Sequence, residues 1–455
     1  MGDTANASDV RRVEDALGTL EVPGSALYGA QTARAIRNFP ISGISIGDFP
    51  HLIRALAQVK KATALASADL GQMRPEKAEV IARVCDELIA GHHLQHFPVD
   101  VLQGGAGTST NMNINEVIAN RGLELMGHAP GQYQHLHPND DINRAQSTND
   151  VYPTALRVAL MTAVPELVAA LDGLAQAFEG RGAALVGVMK LGRTELQDAV
   201  PMSLGDEMRA YGSTLREDIL RLRAAISLLA EVNLGGTAIG TRVTATPEFQ
   251  ARAVEELARI TGLPLRASGD LIEASWDVGV FVHLSGNLKR LATKLSKIAN
   301  DLRLLSSGPR GGFGEIALPP MQPGSSIMPG KVNPVIAEMV NQVAFQVIGM
   351  DVSITFAAEG GQLQLNAFEP MIGYGLLHAI SLLRNASEVF RDRCVSGIEA
   401  RPERCAQNLM ASTANFAALV PVIGYDRASA LAKEMVSNGE SWETFAARHG
   451  LPPVA

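Results

Sequence analysis

Four segments of the sequence combine hydroxyl and amide side chains with glycine, between stretches that are apolar and helical in pattern. They are residues 104–116 (GGAGTSTNMNINE), 146–150 (QSTND), 192–198 (GRTELQD) and 324–334 (GSSIMPGKVNP). Such residues supply neutral hydrogen-bond donors, a flexible lysine cation and close backbone approach at glycine. This combination suits a small dianion, one oxygen of which takes up additional charge in a transition state.

Each of these segments also has a structural interpretation, in which serine, threonine and asparagine cap helices or form turns. For any single segment that interpretation is the better one. Four such segments beside helical patterns favour a shared site, although spacing along the sequence does not show that they converge.

Helices must position these segments, because apolar residues recur at three- and four-residue steps over much of the chain. The patterns predict helices over residues 54–68, 165–178, 216–231, 276–305, 335–352 and 371–390. Alternating patterns are scarce and aromatic residues make up only 5% of the chain. We therefore expect an all-α fold built around a bundle of unusually long helices.

Proline and glycine cluster between these patterns, most of all over residues 308–334, which predicts a long functional loop. From these interruptions we expect three domains. They are an N-terminal helical domain over residues 1–146, a central long-helix bundle over residues 147–400 and a short C-terminal helical domain over residues 401–455.

Composition excludes several functional classes. The 455 residues are 46% hydrophobic with a net charge of −8, which excludes a disordered chain and lacks the basic excess of a general nucleic-acid binder. The N-terminus has no apolar signal-peptide core, and no stretch reads as a convincing membrane span. Three cysteines are too few for a disulfide framework. We expect a cytoplasmic protein without nucleic-acid or membrane partners.

The fourth segment, GSSIMPGKVNP, resembles the signature of the aspartase/fumarase superfamily. GGAGTSTNMNINEVIANRGLELMG, HPNDDINRAQSTNDVYPTALR, GRTELQDAVPMSLGDE and NLGGTAIGT resemble further blocks of that family, in the same order. The resemblance covers nearly the whole chain. It implies a three-domain all-α fold and a homotetramer whose active sites each collect residues from three subunits. The implied reaction is a reversible anti-elimination across the Cα–Cβ bond of a succinyl compound, which usually releases fumarate and needs no metal or organic cofactor.

The resemblance also implies roles for individual residues. Ser325 would be the catalytic base, on a mobile loop that closes over the substrate. Because a serine hydroxyl is a very poor base, backbone N–H groups and Lys331 must lower its pKa. The β-carboxylate, and the aci-carboxylate dianion that forms from it, would be held by the hydroxyls of Thr108, Ser147, Thr148 and Ser326.

The other end of the substrate has its own implied partners. Thr194, Lys331 and Asn333 would hold the α-carboxylate. The leaving group would face Asn149 and also Thr108.

Local variants within the blocks indicate which elimination is expected. Gln322 in MQPGSS, together with GAGTST and QSTND, resembles the aspartases of the superfamily more than its fumarases. We therefore expect L-aspartate to be converted to fumarate and ammonia. Hydration of fumarate is the alternative within the class. A catalytically silent homologue would predict the loss of Ser325, Lys331 or Thr108, and all three are intact.

Glu195 departs from the family pattern, which commonly has His or Gln at this place in GRTELQDA. A carboxylate beside the leaving group would favour an ammonium group and oppose the α-carboxylate. The family pattern places Glu338 nearby, where it would raise the pKa of one of the two carboxyls. Either Glu195 contacts the substrate amine, or the preferred substrate is a substituted or N-substituted aspartate.

Histidines offer two further interpretations. His137 opens HPND, which in the family resembles a secondary anion site near the entrance, and a histidine in a turn before a helix is an equal alternative. His92, His93 and His96 have the spacing of metal ligands but lack a supporting carboxylate pattern, so we expect a solvated turn there.

Overall fold

A computed structural model describes residues 10–451, and within them fourteen α-helices form most of the structure. Eight short strands pair into four two-stranded sheets. The prediction of an all-α fold with long helices is confirmed, since the longest helix has 37 residues and the longest strand has 7.

The elements are as follows. The helices are α1 (Ala30–Asn38), α2 (Pro50–Asp69), α3 (Pro75–Ile89), α4 (Thr108–Leu125), α5 (Thr148–Ala184), α6 (Leu204–Ser227), α7 (Pro247–Thr261), α8 (Gly279–Leu305), α9 (Val335–Glu359), α10 (Glu369–Arg393), α11 (Pro402–Met410), α12 (Ala414–Ile423), α13 (Tyr425–Asn438) and α14 (Trp442–His449). The strands are β1 (Val10–Asp15), β2 (Gly18–Pro23), β3 (Met189–Thr194), β4 (Gln197–Ser203), β5 (Glu231–Val232), β6 (Arg266–Ala267), β7 (Ile316–Ala317) and β8 (Glu399–Ala400).

The predicted helices coincide with observed ones, with one shortened end. Residues 54–68, 165–178, 335–352 and 371–390 lie inside α2, α5, α9 and α10, and residues 276–305 match α8 to within three positions. The helix predicted over residues 216–231 ends at Ser227 in α6. A 3₁₀ turn follows it, and the chain then enters β5, which pairs in parallel with β6.

The chain divides into two compact units. The first comprises residues 10–166, 222–288 and 349–380, where α2 packs against α3 and α7. The second comprises residues 167–221, 289–348 and 381–451, where the hairpin β3–β4 packs against α11 and α12. Each of the helices α5, α6, α8, α9 and α10 contributes residues to both units. The three-domain division at residues 146 and 400 stays a prediction.

Local sequence signals explain why individual helices begin and end where they do. In α7, the Thr246 hydroxyl accepts a hydrogen bond from the Phe249 N–H at 3.2 Å, and Pro247 occupies the first turn. Gly262 then ends the helix in the left-handed conformation that favours glycine. The apolar face of α7 is thereby presented to α2 in the first unit.

The hairpin β3–β4 was not predicted from the sequence. Thr194 pairs with Gln197 across it, so Glu195 and Leu196 form the two-residue turn. Both turn residues have positive φ, at 54° and 63°, where glycine, asparagine or aspartate usually stands. No residue typical of a tight turn therefore marks this point in the sequence.

Two helices, α5 and α9, are long and apolar enough to cross a membrane by length and composition. In α5, 67% of the apolar stretch is buried inside the protein, as in the core helix of a globular fold. In α9 only 33% is buried, and Phe345 and Phe356 are 62% and 71% exposed. In the single chain, α9 therefore presents aromatic side chains that no other described element covers.

Candidate active site

The predicted site residues divide between the two units. Four belong to the first unit and six to the second. The first group is Thr108, Ser147, Thr148 and Asn149, and the second is Thr194, Glu195, Ser325, Ser326, Lys331 and Asn333.

The first group lies where two helices begin. Thr108 is the first residue of α4, and Thr148 is the first residue of α5. A hydrogen bond joins the first turns of these two helices: the Asn111 side-chain amide donates to the Thr148 hydroxyl oxygen at 3.1 Å. Helix N-termini present unpaired N–H groups and positive potential, so this corner of the first unit is suited to an anion.

A buried amide cluster supports this corner, and it consists of Lys60, Asn111, Asn143, Gln146 and Thr148. The Lys60 ammonium donates hydrogen bonds to the side-chain oxygens of Asn143 and Gln146, both at 2.9 Å. The Asn143 oxygen also accepts from Asn111 at 3.1 Å. Lys60 is 0% exposed, and burial lowers the pKa of its ammonium to about 7. The cluster therefore ties a buried lysine to the residues that lead into the polar segment QSTND.

Asp150 anchors the segment QSTND to the block NLGGTAIGT. Its carboxylate accepts hydrogen bonds from the Ser147 N–H at 2.9 Å and from the Gly235 and Thr237 N–H groups at 2.9 and 3.0 Å. Burial raises the pKa of Asp150 to about 6, although these three N–H groups act in the opposite direction. This structural role for NLGGTAIGT was not inferred from the sequence.

The side chains nearest the helix starts differ in the hydrogen bonds that they already make to backbone groups. The Thr108 hydroxyl is exposed and donates to the Gly105 carbonyl at 2.7 Å. The Ser147 hydroxyl oxygen accepts from the Asn149 N–H at 3.3 Å. The Asn149 amide nitrogen donates to the Ala238 carbonyl at 2.7 Å, so this residue braces the loop after β5 within the first unit.

In the second unit, Thr194 and Glu195 lie exposed at the turn of β3–β4. Left-handed backbone at Glu195 and Leu196 costs about 1–2 kcal/mol per residue. Such strain persists where the surroundings determine it, and it occurs often at functional sites.

The segment 324–333 closes on itself, and we call it the loop ring. The Asn333 side-chain amide donates to the Gly324 carbonyl at 3.1 Å, and the Lys331 N–H donates to the Met328 carbonyl at 3.2 Å. Inside the ring, the Ser325 hydroxyl oxygen accepts hydrogen bonds from the N–H groups of Ile327 at 3.2 Å and Met328 at 3.1 Å. Two N–H groups therefore donate to the hydroxyl oxygen that the family resemblance implies as the catalytic base.

A cavity of about 850 Å³ adjoins the loop ring within the second unit. Lys331 and Asn333 line it together with Glu338, and Arg303 and Arg401 contribute cations. The cavity therefore brings Lys331 and Asn333, two of the three residues predicted to bind the α-carboxylate, to one surface, whereas Thr194 is not among its lining residues. Glu195 is not among its lining residues.

His137 serves as a cap. Its Nδ1 accepts hydrogen bonds from the N–H groups of Asn139 and Asp140, both at 3.1 Å, at the start of a π-helical turn over Pro138–Ile142. This geometry matches the alternative of a histidine in a turn before a helix. In the other histidine cluster, His93 pairs with Glu87 at 2.7 Å.

Comparison with known proteins identifies the family. Residues 18–349 match the family described as Lyase. The chain is 56% identical to the aspartate ammonia-lyase of Pseudomonas aeruginosa over 94% of its own length and 91% of that protein. It is 48% identical to the aspartate ammonia-lyase of Escherichia coli strain K12, with 98% and 93% covered. The chain therefore belongs to the lyase family of the aspartase/fumarase superfamily, and the predicted resemblance is confirmed.

Solved structures agree. The fold matches a fumarate lyase:delta crystallin from Brucella melitensis, bound to cobalt, with a TM-score of 0.94 at 54% identity, covering 97% of this chain and 96% of that one. It also matches a recombinant class II fumarase from Schistosoma mansoni with a TM-score of 0.93 at 32% identity, with the same shares covered.

Proposed function

We propose that this chain catalyses the reversible anti-elimination of ammonia from L-aspartate to give fumarate. Relatives named aspartate ammonia-lyase match it at 48–56% identity over nearly its full length. The observation that carries the chemistry is the Ser325 hydroxyl oxygen, which accepts two backbone N–H bonds inside the loop ring.

The first step is removal of a Cβ proton by Ser325. Two N–H donors stabilise the negative charge of an alkoxide, and hydrogen bonds to a charged form lower the pKa of the group that carries it. The Lys331 ammonium, which the resemblance assigns to the same site, would act in the same direction when the loop closes. The proton passes from Cβ to the Ser325 oxygen, and the electron pair moves into the neighbouring carboxylate, which becomes an aci-carboxylate dianion.

The first unit offers the groups that would stabilise this dianion. Thr148 and Ser147 stand at the start of α5 and Thr108 at the start of α4, so hydroxyls and helix N-termini act on the same charge. Collapse of the dianion then forms the Cα–Cβ double bond and expels ammonia from Cα. Removing one such donor typically lowers kcat by about 10²- to 10³-fold.

The second unit would hold the other end of the substrate. Lys331 and Asn333 line one cavity, where an ammonium and an amide N–H can bind the α-carboxylate. Thr194, at the turn of β3–β4, would complete this contact, and the Ser326 hydroxyl would add a donor for the β-carboxylate. Asn149 would face the leaving amine through its side-chain oxygen, because its amide nitrogen already donates to Ala238.

Homotetramer formation, with each active site shared by three subunits, is part of the proposal. The site residues are divided between two units, and α9 exposes Phe345 and Phe356 as an interface helix would. Co-expression of Ser325→Ala with Thr148→Val would test shared sites. Mixed tetramers should regain some activity that neither variant has, and failure to regain any would contradict sites shared between subunits.

The proposed location is the cytoplasm. It rests on the three cysteines, Cys85, Cys394 and Cys405, which are free and buried, as in proteins of a reducing compartment.

The first experiment measures fumarate by its ultraviolet absorbance after adding L-aspartate or, separately, L-malate to the purified protein. Fumarate from aspartate alone supports the ammonia-lyase proposal. Fumarate from malate alone overturns it in favour of a hydratase. If neither reacts, while the protein is folded and tetrameric, substituted and N-substituted aspartates are the next substrates to test.

Glu195→Gln tests whether this carboxylate contacts the substrate amine. Removing a negative charge beside an ammonium group should raise KM for aspartate several-fold, by roughly 1 kcal/mol, while the fold is unchanged because the side chain is exposed. Unchanged KM and kcat would remove Glu195 from the site.

A further inference from the structure

Glu315 lies at the start of the long loop that leads to Ser325, and its side chain is 0% exposed. Its carboxylate accepts hydrogen bonds from the Arg193 guanidinium at 2.8 Å and from the Asn408 amide at 3.0 Å. The Lys190 ammonium is 3.2 Å from the second oxygen. A single buried carboxylate therefore joins two cations of β3 to the helix α11.

The charge on Glu315 is compensated by these partners. Burial raises the pKa of the carboxyl, but the Arg193 hydrogen bond and the Lys190 charge outweigh it, so the pKa lies below its ordinary value. Lys190 is itself only 2% exposed. Lys190 also donates to the Glu207 carboxylate at 2.9 Å. Removing the Glu315 carboxylate would thus leave Lys190 with Glu207 and deprive the Arg193 guanidinium of its carboxylate partner in a poorly solvated place, which is more costly than losing an exposed ion pair.

The backbone around Glu315 is tied to the same helix. Its carbonyl accepts from the Arg401 N–H at 2.9 Å, just before α11 begins. Within α11, the Arg404 guanidinium donates to the Phe313 carbonyl at 3.0 Å. The strand β7, which follows Glu315 directly, pairs with β8. We call residues 306–317 the loop stem. Side-chain and backbone hydrogen bonds therefore fix it to α11 and to the residue just before α11.

The hairpin turn is fixed to the same point. Arg193 immediately precedes Thr194 and Glu195, and its guanidinium also stacks over the Phe313 ring at 4.1 Å. If the Arg193 side chain rotated away, its ion pair with Glu315 would be lost. The position of the Thr194 backbone is thus coupled to the position of the loop stem.

We propose that Glu315 is a positioning residue, whose carboxylate fixes the turn bearing Thr194 and the loop stem leading to Ser325 to the same C-terminal helix. This inference rests on the proposed function, in which those two residues bind and deprotonate the substrate. Glu315 itself contacts neither the substrate nor the reacting atoms in this mechanism. Its effect is transmitted through Arg193 on one side and through β7 on the other.

Glu315→Gln tests the proposal, because it keeps the shape and removes the charge. At a temperature well below Tm, kcat/KM for L-aspartate should fall about 10- to 100-fold, as expected when reacting groups shift by a fraction of an ångström to one ångström. Amide hydrogen exchange followed by mass spectrometry should rise together in residues 189–203, 306–317 and 401–410.

Asp218→Asn in the same unit is the matched control. Asp218 is 2% exposed and pairs with Arg290 between α6 and α8, and neither residue belongs to the hairpin or the loop stem. This variant should lose stability as Glu315→Gln does, but kcat and KM below Tm should stay at the wild-type values. Exchange in the three segments should also stay unchanged.

The outcomes separate the two proposals. If Glu315→Gln lowers Tm but keeps wild-type kcat, KM and exchange in those segments, Glu315 is only structural and the inference fails. If the wild-type protein makes no fumarate from aspartate, the proposed function fails, and exchange still decides whether Glu315 couples the three segments.

A second variant is available if Glu315→Gln does not fold. Asn408→Ala removes one hydrogen bond to the Glu315 carboxylate and one to the Phe313 carbonyl, and leaves the ion pairs with Lys190 and Arg193 in place. It should produce a smaller rise in exchange in the same segments and a few-fold loss in kcat/KM. No change in either measurement would overturn the inference.

Discussion

The buried amide cluster and the loop ring provide two parts of the proposed site in opposite ways. In the amide cluster, Lys60, Asn111 and Thr148 come from three separate segments and are joined through Asn143 inside the first unit. In the loop ring, Ser325 and Asn333 bond to residues of the same exposed segment. Hydrogen bonds between distant segments therefore hold the amide cluster, whereas hydrogen bonds within one segment hold the loop ring.

The difference follows from what each part must do. Groups that stabilise a developing charge act best when they are already fixed and shielded from water. A loop that closes over the substrate must instead stay free to move, and a preformed local structure limits the entropy lost when it closes. Substitutions should therefore affect stability in the first part and turnover alone in the loop ring.

The largest expected effect is that of Ser325→Ala. Loss of the base should lower kcat about 10³-fold, within the usual range for general acid–base catalysis, with Tm unchanged because the side chain bonds only inside the loop ring. Steady-state kinetics and a thermal melt check both parts. A clear fall in Tm would show that the loop ring supports the fold, and the contrast drawn above would be wrong.

Two glycines provide a matched pair. A Cβ at Gly107, where φ is 90°, would lie 2.5 Å from the Tyr152 ring, which is itself 2% exposed. Gly107→Ala should thus cost about 2–4 kcal/mol of stability, seen in chemical denaturation. A Cβ at Gly324 would lie 2.1 Å from the Lys331 carbonyl oxygen and open the loop ring.

Gly324→Ala should then lower kcat/KM about 100-fold, through misplacement of Ser325, and leave the free energy of unfolding unchanged. The pair fails as evidence for the contrast if both variants lose stability to the same extent, or if Gly324→Ala retains full activity.

Asn111→Ala should lower both the stability of the protein and its turnover, each by a moderate amount. It removes the buried amide donor to the Thr148 hydroxyl and one of the donors to the Asn143 oxygen, at a cost of about 1–3 kcal/mol, and should lower kcat roughly 10-fold. Asn113→Ala on the same helix is the control, because Asn113 is equally buried but donates to the His96 carbonyl instead. Equal kinetic losses in the two variants would contradict a specific role for Asn111.

The smallest effect on turnover is expected for a buried carboxyl group of the first unit, which instead makes stability depend on pH. Burial raises the pKa of Glu369 to about 8, although the Arg157 charge opposes this. A raised carboxyl pKa means that the folded state holds a proton that the unfolded state releases, so stability falls as pH rises from about 4.5 to 8. Glu369→Gln should remove this slope, at most about 1.4 kcal/mol per pH unit.

Chemical denaturation of the wild-type protein and of Glu369→Gln between pH 5 and 9 measures how the free energy of unfolding of each depends on pH. The advantage of Glu369→Gln should grow up to pH 8 and then level off, while kcat is unaffected. A difference that does not change with pH would mean that Glu369 is ionised throughout.

The helices were readable from the sequence because apolar periodicity is a local property. The patterns at residues 335–352 and 371–390 fall inside α9 and α10, and the proline- and glycine-rich stretch after Gly308 is irregular apart from β7. The hairpin β3–β4 was not readable, since Glu195 and Leu196 occupy a turn that usually requires glycine or asparagine.

The candidate site was readable only in part. Ser325, Lys331 and Thr148 could be proposed from the sequence because they stand in polar segments that resemble blocks of the superfamily. Lys60 was not recognised, because it lies in the helical pattern of α2 and only the fold reveals that it is 0% exposed. Its partners Asn143 and Gln146 are more than eighty positions away along the chain.

The loop ring has a consequence for length. Asn333 donates a hydrogen bond to the Gly324 carbonyl, and Gly324 lies close to the Lys331 backbone. The number of residues between Gly324 and Asn333 is therefore fixed by this closure. An inserted or deleted residue would break this closure even if every side chain were kept. Exposed loops usually tolerate changes in length. This one should tolerate substitution at Ile327 or Met328 far better than the gain or loss of a single residue.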